Sequence, residues 1–384
     1  MRIAVVAPLA AGSSFAHAIN SVKMAEGFAR LGHDVEIVCR TSETGSVAPE
    51  LLRDQYGLRS AVGWLQLPYD VGDQRAFTFR AVARVLRTAA DFVYARHYRA
   101  PLWTSRFRVP TVVETHAHPD NRARAYLRMM RGTRHRSFRA VVTISRVLAD
   151  HYVGLGVPPE KLLVLPDAVD VELFRRPSVL PPSPLRGEGP HVVYAGHLYD
   201  YKGIPTVLEA ARKMPQVRFH FVGGWPDDVA RQQSRAAALG LENVEFYGLV
   251  SHGEVPPFLW HADLLLLPPS QHHPSARWTS PLKLGEYLAS ETPVLVTDIP
   301  ALRAWVTDEH VWWVPPDDAQ RLAERITEVL GEKEAKRRRV QAARELAERF
   351  SYRERARRVL QAAMPSRSDT GASYAMPSRS GKAA

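Results

Sequence analysis

Two short segments of the chain carry residue types suited to phosphate and ribose. The first, YAGHLYDYKGIPTVLEAA (Tyr194–Ala211), ends a strand at a glycine and opens a helix just after Lys202-Gly203. A lysine there sets its ammonium beside the positive end of a helix, and the two together suit a diphosphate. The second, WTSPLKLGEYLASETPVLVTD (Trp278–Asp298), joins a loop, a helix and a strand. Ser280 reads as its N-cap and Pro281 as its first helical residue, so the N–H groups that follow, with Leu282 and Lys283, face out of the helix end toward an anion. Glu286 lies one and a half turns further on, within reach of a ribose whose phosphates occupy that end. Singly, a Lys-Gly pair is ordinary turn chemistry and Glu286 an ordinary surface acid.

Other groups are less specific. Gly12 and Ser13, in the loop after the first strand, would let the backbone approach a phosphate or an acceptor closely. The acidic pairs Asp227-Asp228 and Asp317-Asp318 fall at helix starts, where carboxylates favour the dipole, so no metal site and no cofactor are expected. Neither G-x-G-x-x-G nor a Walker lysine motif is present, which disfavours hydride transfer and P-loop hydrolysis. The lone Cys39 supplies neither a disulfide nor a metal cluster and fits a reducing cytoplasm.

Positioning these residues requires a large scaffold. The 384 residues, 45% hydrophobic and 24% charged, describe a soluble globular chain of two domains. Short apolar runs alternate twice over with helical patterns, the signature of parallel βαβ sheets. Six strands are predicted in the first half, at 2–7, 34–38, 92–95, 111–114, 140–144 and 161–165. Six more follow at 191–195, 217–222, 244–246, 263–267, 293–297 and 311–314. Between the halves, RPSVLPPSPLRGEGP (Arg176–Pro190) packs five prolines and two glycines into fifteen residues. The chain therefore divides into a domain 1–176, a linker 177–190, a domain 191–350, a basic helix 351–363 expected to pack back on the first domain, and a disordered tail 364–384 that repeats AMPSRS. The N-terminus superficially resembles a signal peptide, but Ile3–Ala7 reads better as a buried strand and the helical spacing from Phe15 to Ala29 runs through the supposed cleavage point.

Two doubly wound domains (an α/β fold) face each other across a cleft at the carboxyl ends of their sheets, where such folds bind nucleotides. Here the motifs converge on a family. YAGHLYDYKG, HADLLLLPPS (His261–Ser270) and SPLKLGEYLASETPVLVTD resemble the second domain of GT-B glycosyltransferases of family 4, and PLAAGSSFAHAINSVKMAEGFARLGHDVEIV and VLPDAVD (Val164–Asp170) resemble the first. The resemblance runs to about Ala363. It implies that Lys202 binds the donor diphosphate and Glu286 the ribose, that His197 stands where the family has an arginine, and that a histidine after a first-domain strand faces the sugar. TVVETHAH (Thr111–His118) offers His116, favoured for its place near the strand end, with His118 as the acceptor-side alternative. The first glutamate of the family's E-x₇-E pattern falls on Trp278, and Asp167-Ala168 replaces Asn-Gly.

The expected activity is that of a retaining, metal-independent glycosyltransferase using a UDP- or GDP-linked sugar. A nucleotide-sugar 2-epimerase of the same fold and a non-catalytic polyanion-binding protein are the alternatives. The net charge of +11 is concentrated between Phe92 and Arg139, where eleven arginines face two acids. Within it Asn121–Arg136 can form a basic amphipathic helix with Arg124, Arg128 and Arg131 on one face, and with Arg122 these point to an anionic membrane surface rather than nucleic acid. Location is expected in the cytoplasm, peripheral on the inner face of the membrane, with a glycan or lipid-linked acceptor.

Overall fold

The computed structural model describes residues 1–68, 74–97, 99–117 and 137–364. His118, the arginines Arg122, Arg124, Arg128 and Arg131, and the tail from residue 365 lie outside them.

Two all-parallel sheets form the two halves. The first contains β1 (Arg2–Ala10), β2 (Asp34–Arg40), β3 (Gly63–Leu67), β4 (Phe92–Ala95), β5 (Thr111–Thr115), β6 (Phe138–Thr143) and β7 (Leu162–Val164), in the order β3-β2-β1-β4-β5-β6-β7. The second contains β8 (His191–Ala195), β9 (Arg218–Val222), β10 (Val244–Gly248), β11 (Leu264–Leu267), β12 (Val294–Thr297) and β13 (Trp312–Val314), in the order β10-β9-β8-β11-β12-β13. Each sheet reverses direction beside its first strand, so each opens a crevice at the carboxyl end of β1 or β8. Burial on both faces explains the continuous apolar strands: β1 is buried from Ile3 to Ala7 and β11 is LLLL, all buried.

β3 was not predicted. Its sequence, GWLQL, contains a glycine and a glutamine and lies at the sheet edge, where Gln66 exchanges hydrogen bonds with the backbone of Val47 (2.9 and 2.6 Å). Residues 176–190 contain no helix or strand. Of the paired aspartates, Asp227 and Asp228 lie in the first turn of the helix Pro226–Ala238, as expected. Asp318 does cap the helix Ala319–Gly331 through the N–H of Arg321, whereas Asp317 accepts from the N–H of Gln271.

After the helix Lys333–Arg349 the chain crosses between halves. The Val169 N–H donates to the Phe350 carbonyl (2.9 Å), and the final helix, Tyr352–Ala363, packs on the first helix, Ala16–Ala29. Gly27 makes that approach feasible, since a Cβ there would lie 2.6 Å from the Tyr352 carbonyl oxygen. Among the described residues no helix is long and apolar enough to cross a membrane.

Candidate active site

The two crevices face each other and enclose a cleft of about 690 Å³, lined by both halves. Its second-domain wall is built from the residues at the ends of β8 (195–197) and β9 (222–224) and from the helix Leu282–Ala289. Lys202 ends a short 3-10 turn, and Gly203 follows it at φ +84. A Cβ on Gly203 would sit 1.7 Å from the Pro268 carbonyl oxygen, so glycine alone lets this turn rest on the chain after β11 and deliver Lys202 to the cleft. The Lys202 ammonium lies 4.9 Å from the Tyr201 ring centre and makes no hydrogen bond or ion pair among the described residues.

Lys283 reaches the same wall from the helix, donating to the Tyr194 hydroxyl (2.7 Å), which donates to the His197 carbonyl (2.7 Å). Tyr287, fully buried, accepts from the Ala195 N–H (2.7 Å) and so pins the helix to the end of β8. Loss of solvent lowers the affinity of both lysines for their protons, and Lys202 adds to the effect on Lys283. Burial, then Lys283 and Lys202, likewise lowers His197, whose ring stacks on Tyr199 and Trp225. The wall thus gathers two part-buried lysines, with the Glu286 carboxylate opposing part of the downward shift at Lys283.

Glu286 lies at the far side of the lysines, where its Oε1 pairs with His252 Nε2 at 3.0 Å. His252 was missed from sequence: it lies 34 residues away, on the 3-10 turn His252–Glu254. Ser280 also departs from its predicted role. The helix starts at Leu282 with Pro281 at the cap position, and the Ser280 hydroxyl is engaged across the cleft by the N–H of Asp167 (2.8 Å). Ser280, Pro281, Leu282, Lys283 and Glu286 all line the cleft, as do His197, Lys202 and Trp278. Gly12 does not. Gln55 covers it, donating to its carbonyl, and Ser14, Ala16 and Gln55 stand on the wall in its place.

The first-domain wall centres on His116, just past β5. Its Nε2 lies 2.5 Å from Glu114 Oε1 and 3.6 Å from Asp167 Oδ1. Burial would raise the Glu114 carboxyl, but Arg355 and the bonded His116 outweigh it and hold it down to about 2. Asp167 behaves oppositely, raised by burial against the pull of His116 and Arg355. Glu114, His116 and Asp167 place potential ligand atoms within 4.8 Å of one another. Arg355, Arg96 and Asn20 already donate to the Glu114 oxygens, so the group fits a closed ion-pair network better than a metal site.

Two family models match successive stretches of the chain: glycosyltransferase family 4 over residues 21–173 and glycosyl transferases group 1 over residues 177–346. The chain belongs to the GT-B glycosyltransferases of family 4. WcaL of Salmonella typhimurium, named for colanic acid biosynthesis, is 30% identical over 198 residues, 49% of this chain and 47% of that one. TuaH of Bacillus subtilis, named for teichuronic acid biosynthesis, is 32% identical over 144 residues, 37% of this chain and 36% of its own. The chain thus spans about half the length of the curated relatives it matches, or less. Among solved structures, a glycosyltransferase from Rickettsia africae superposes with a TM-score of 0.74 at 15% identity, covering 94% of this chain and 98% of its own. Anabaena HepE in complex with UDP-glucose gives 0.69 at 18%, covering 94% and 99%. These two establish the shared fold.

His197, Trp278 and Asp167, the three positions at which the resemblance implies a departure from the family's motifs, all line this cleft. The carboxylates left on the cleft wall are Asp167 and Glu286.

Proposed function

We propose that the protein is a retaining glycosyltransferase that moves a hexosyl unit from a UDP- or GDP-linked donor to a hydroxyl of a saccharide, glycolipid or small-molecule acceptor. One observation carries the reading: Lys202, Lys283 and Glu286 line one side of a cleft whose other side presents His116. A diphosphate on the lysines and the helix end would gain charge as the glycosidic bond breaks, and preorganised cations stabilise that charge without a metal. Glu286, oriented by His252, accepts the ribose hydroxyls. His116 and the adjacent backbone orient the sugar and the incoming hydroxyl on the face the leaving group vacates, which yields retention. HepE, described in complex with UDP-glucose, favours uridine among the nucleotides. The names of WcaL and TuaH favour assembly of a surface polysaccharide.

Work at the cytoplasmic face of a membrane is proposed from the arginine-rich tract, whose contacts at ~1 kcal/mol each give reversible attachment. Sedimentation with vesicles tests it: binding needs anionic lipid and falls with salt, and equal recovery on neutral vesicles contradicts it. The activity itself is tested by incubating the protein with nucleotide sugars, with and without mixed saccharide acceptors. Acceptor-dependent release of nucleoside diphosphate supports transfer, conversion of the donor alone supports a 2-epimerase, and neither outcome leaves a polyanion-binding protein.

A further inference from the structure

We infer that Arg355, on the final helix, is a positioning residue for His116: through Glu114 it fixes which ring nitrogen of His116 is left to accept a hydrogen bond from a sugar hydroxyl. The inference deepens the proposed transfer reaction and rests on that reading.

Arg355 follows the second domain in sequence but is buried beneath the first, 3% exposed. Its Nε donates to the Pro166 carbonyl (2.8 Å), and its Nη1 donates to Glu114 Oε2 (2.6 Å) and lies 3.0 Å from the Tyr94 hydroxyl. The other oxygen, Glu114 Oε1, faces His116 Nε2 at 2.5 Å, with Arg96 at 3.2 Å and Asn20 at 3.4 Å. A buried carboxylate among these donors stays ionised and can only accept. His116 Nε2 must then carry a proton, and in the neutral imidazole Nδ1 keeps its lone pair. Among the described residues Nδ1 has no partner, while the ring lines the cleft. Nδ1 is therefore the acceptor that a donor-sugar or acceptor hydroxyl meets.

Arg355 supplies the shortest hydrogen bond from a cation to Glu114, and its second anchor at Pro166 sets the carboxylate plane. Arg96 and Asn20 hold only the oxygen already shared with His116, so without Arg355 the carboxylate can turn about its Cγ–Cδ bond. The remaining charged neighbours of the pair are Asp167, 3.6 Å from Nε2, and His17. Neither can replace the cation. A residue of the last helix thus sets a side chain 241 positions earlier.

The experiment pairs a spectroscopic and a kinetic readout on Arg355→Met, Arg355→Lys, Glu114→Gln and the Arg355→Met/Glu114→Gln double variant, with melting curves for each. Imidazole nitrogen NMR of the full-length protein is expected to show the Nε2–H form of His116 in wild type and a mixture of tautomers in Arg355→Met. Turnover in Arg355→Met is expected to fall about tenfold, the scale of losing a supporting partner, with donor KM within about twofold. The double variant is expected to be no slower than Glu114→Gln alone. Arg355→Lys, which keeps the charge, covers the case in which the methionine variant does not fold, and is expected to recover most of the turnover. An unchanged His116 tautomer in a folded variant, or additive losses in the double variant, overturns the inference. If wild type transfers no sugar, the proposed function fails, while the tautomer measurement still decides the role of Arg355.

Discussion

The hydroxyl of Ser280 accepts a hydrogen bond from the backbone N–H of Asp167 at 2.8 Å, tying the end of the first domain to the loop that begins the helix Leu282–Ala289. The two residues are 113 positions apart, and both line the cleft. A part-buried polar contact in the cleft thus helps to set the relative position of the two walls.

Ser280→Ala leaves the Asp167 N–H without its protein partner in that part-buried position, at a cost of about 1 kcal/mol. A lower melting temperature is expected, together with a higher donor KM, because the helix end is freed from the opposite wall. A variant that melts with wild type would show that water replaces the hydroxyl.

Lys202→Ala is expected to lower kcat by about 10² to 10³, roughly 3 to 4 kcal/mol, while donor binding weakens much less, since the charge Lys202 meets grows along the reaction. Turnover should persist in EDTA, because the lysines and the helix end supply the positive charge. Unchanged kcat in the variant removes Lys202 from the reaction, and loss in EDTA with recovery on manganese contradicts metal independence.

The lysines also set a pH dependence. Both hold their protons more weakly than usual, for lack of solvent and, at Lys283, because of Lys202. A bound diphosphate raises both. Binding therefore takes up protons, and UDP affinity is highest below the lowered pKa values and falls as pH rises through them. Calorimetry in two buffers of different ionisation enthalpy measures this; zero proton uptake on the alkaline side would place the phosphates away from the lysines.

Glu286→Gln should raise the donor KM, with ~1.5 to 3 kcal/mol at stake in a hydrogen bond to a charged group. His252→Ala should reproduce part of that loss, because it frees the carboxylate that His252 holds at 3.0 Å. Equal UDP binding by wild type and Glu286→Gln would put the ribose elsewhere.

The layout of the second domain was legible because its strands, such as HVVYA, LLLL and VLVT, are buried on both faces and read as continuous apolar runs. β3 was not, since an edge strand tolerates the glycine and glutamine that hide it. The lysine and glutamate segments announced themselves by residue type beside a helix start, which is local information. What sequence could not supply was every relationship made by the closing of the chain on itself. Ser280 read as a helix cap because its competitor for the hydroxyl, the Asp167 N–H, is distant in sequence. His252 and Arg355 carried no local signal at all, and they acquire roles only through Glu286 and Glu114. Gly12 was credited with backbone access that the side chain of Gln55 takes away.

The central claim is that this cleft holds a nucleotide sugar by its diphosphate and transfers the sugar. Acceptor-dependent release of nucleoside diphosphate from a panel of UDP- and GDP-sugars, measured side by side for wild type, Lys202→Ala and Lys283→Ala, tests it most directly. The account predicts turnover of at least one donor by wild type, a product of unchanged anomeric configuration, and a loss of about 10² or more in each lysine variant. Turnover at the wild-type rate by both variants, or inversion of the anomeric centre, would contradict it.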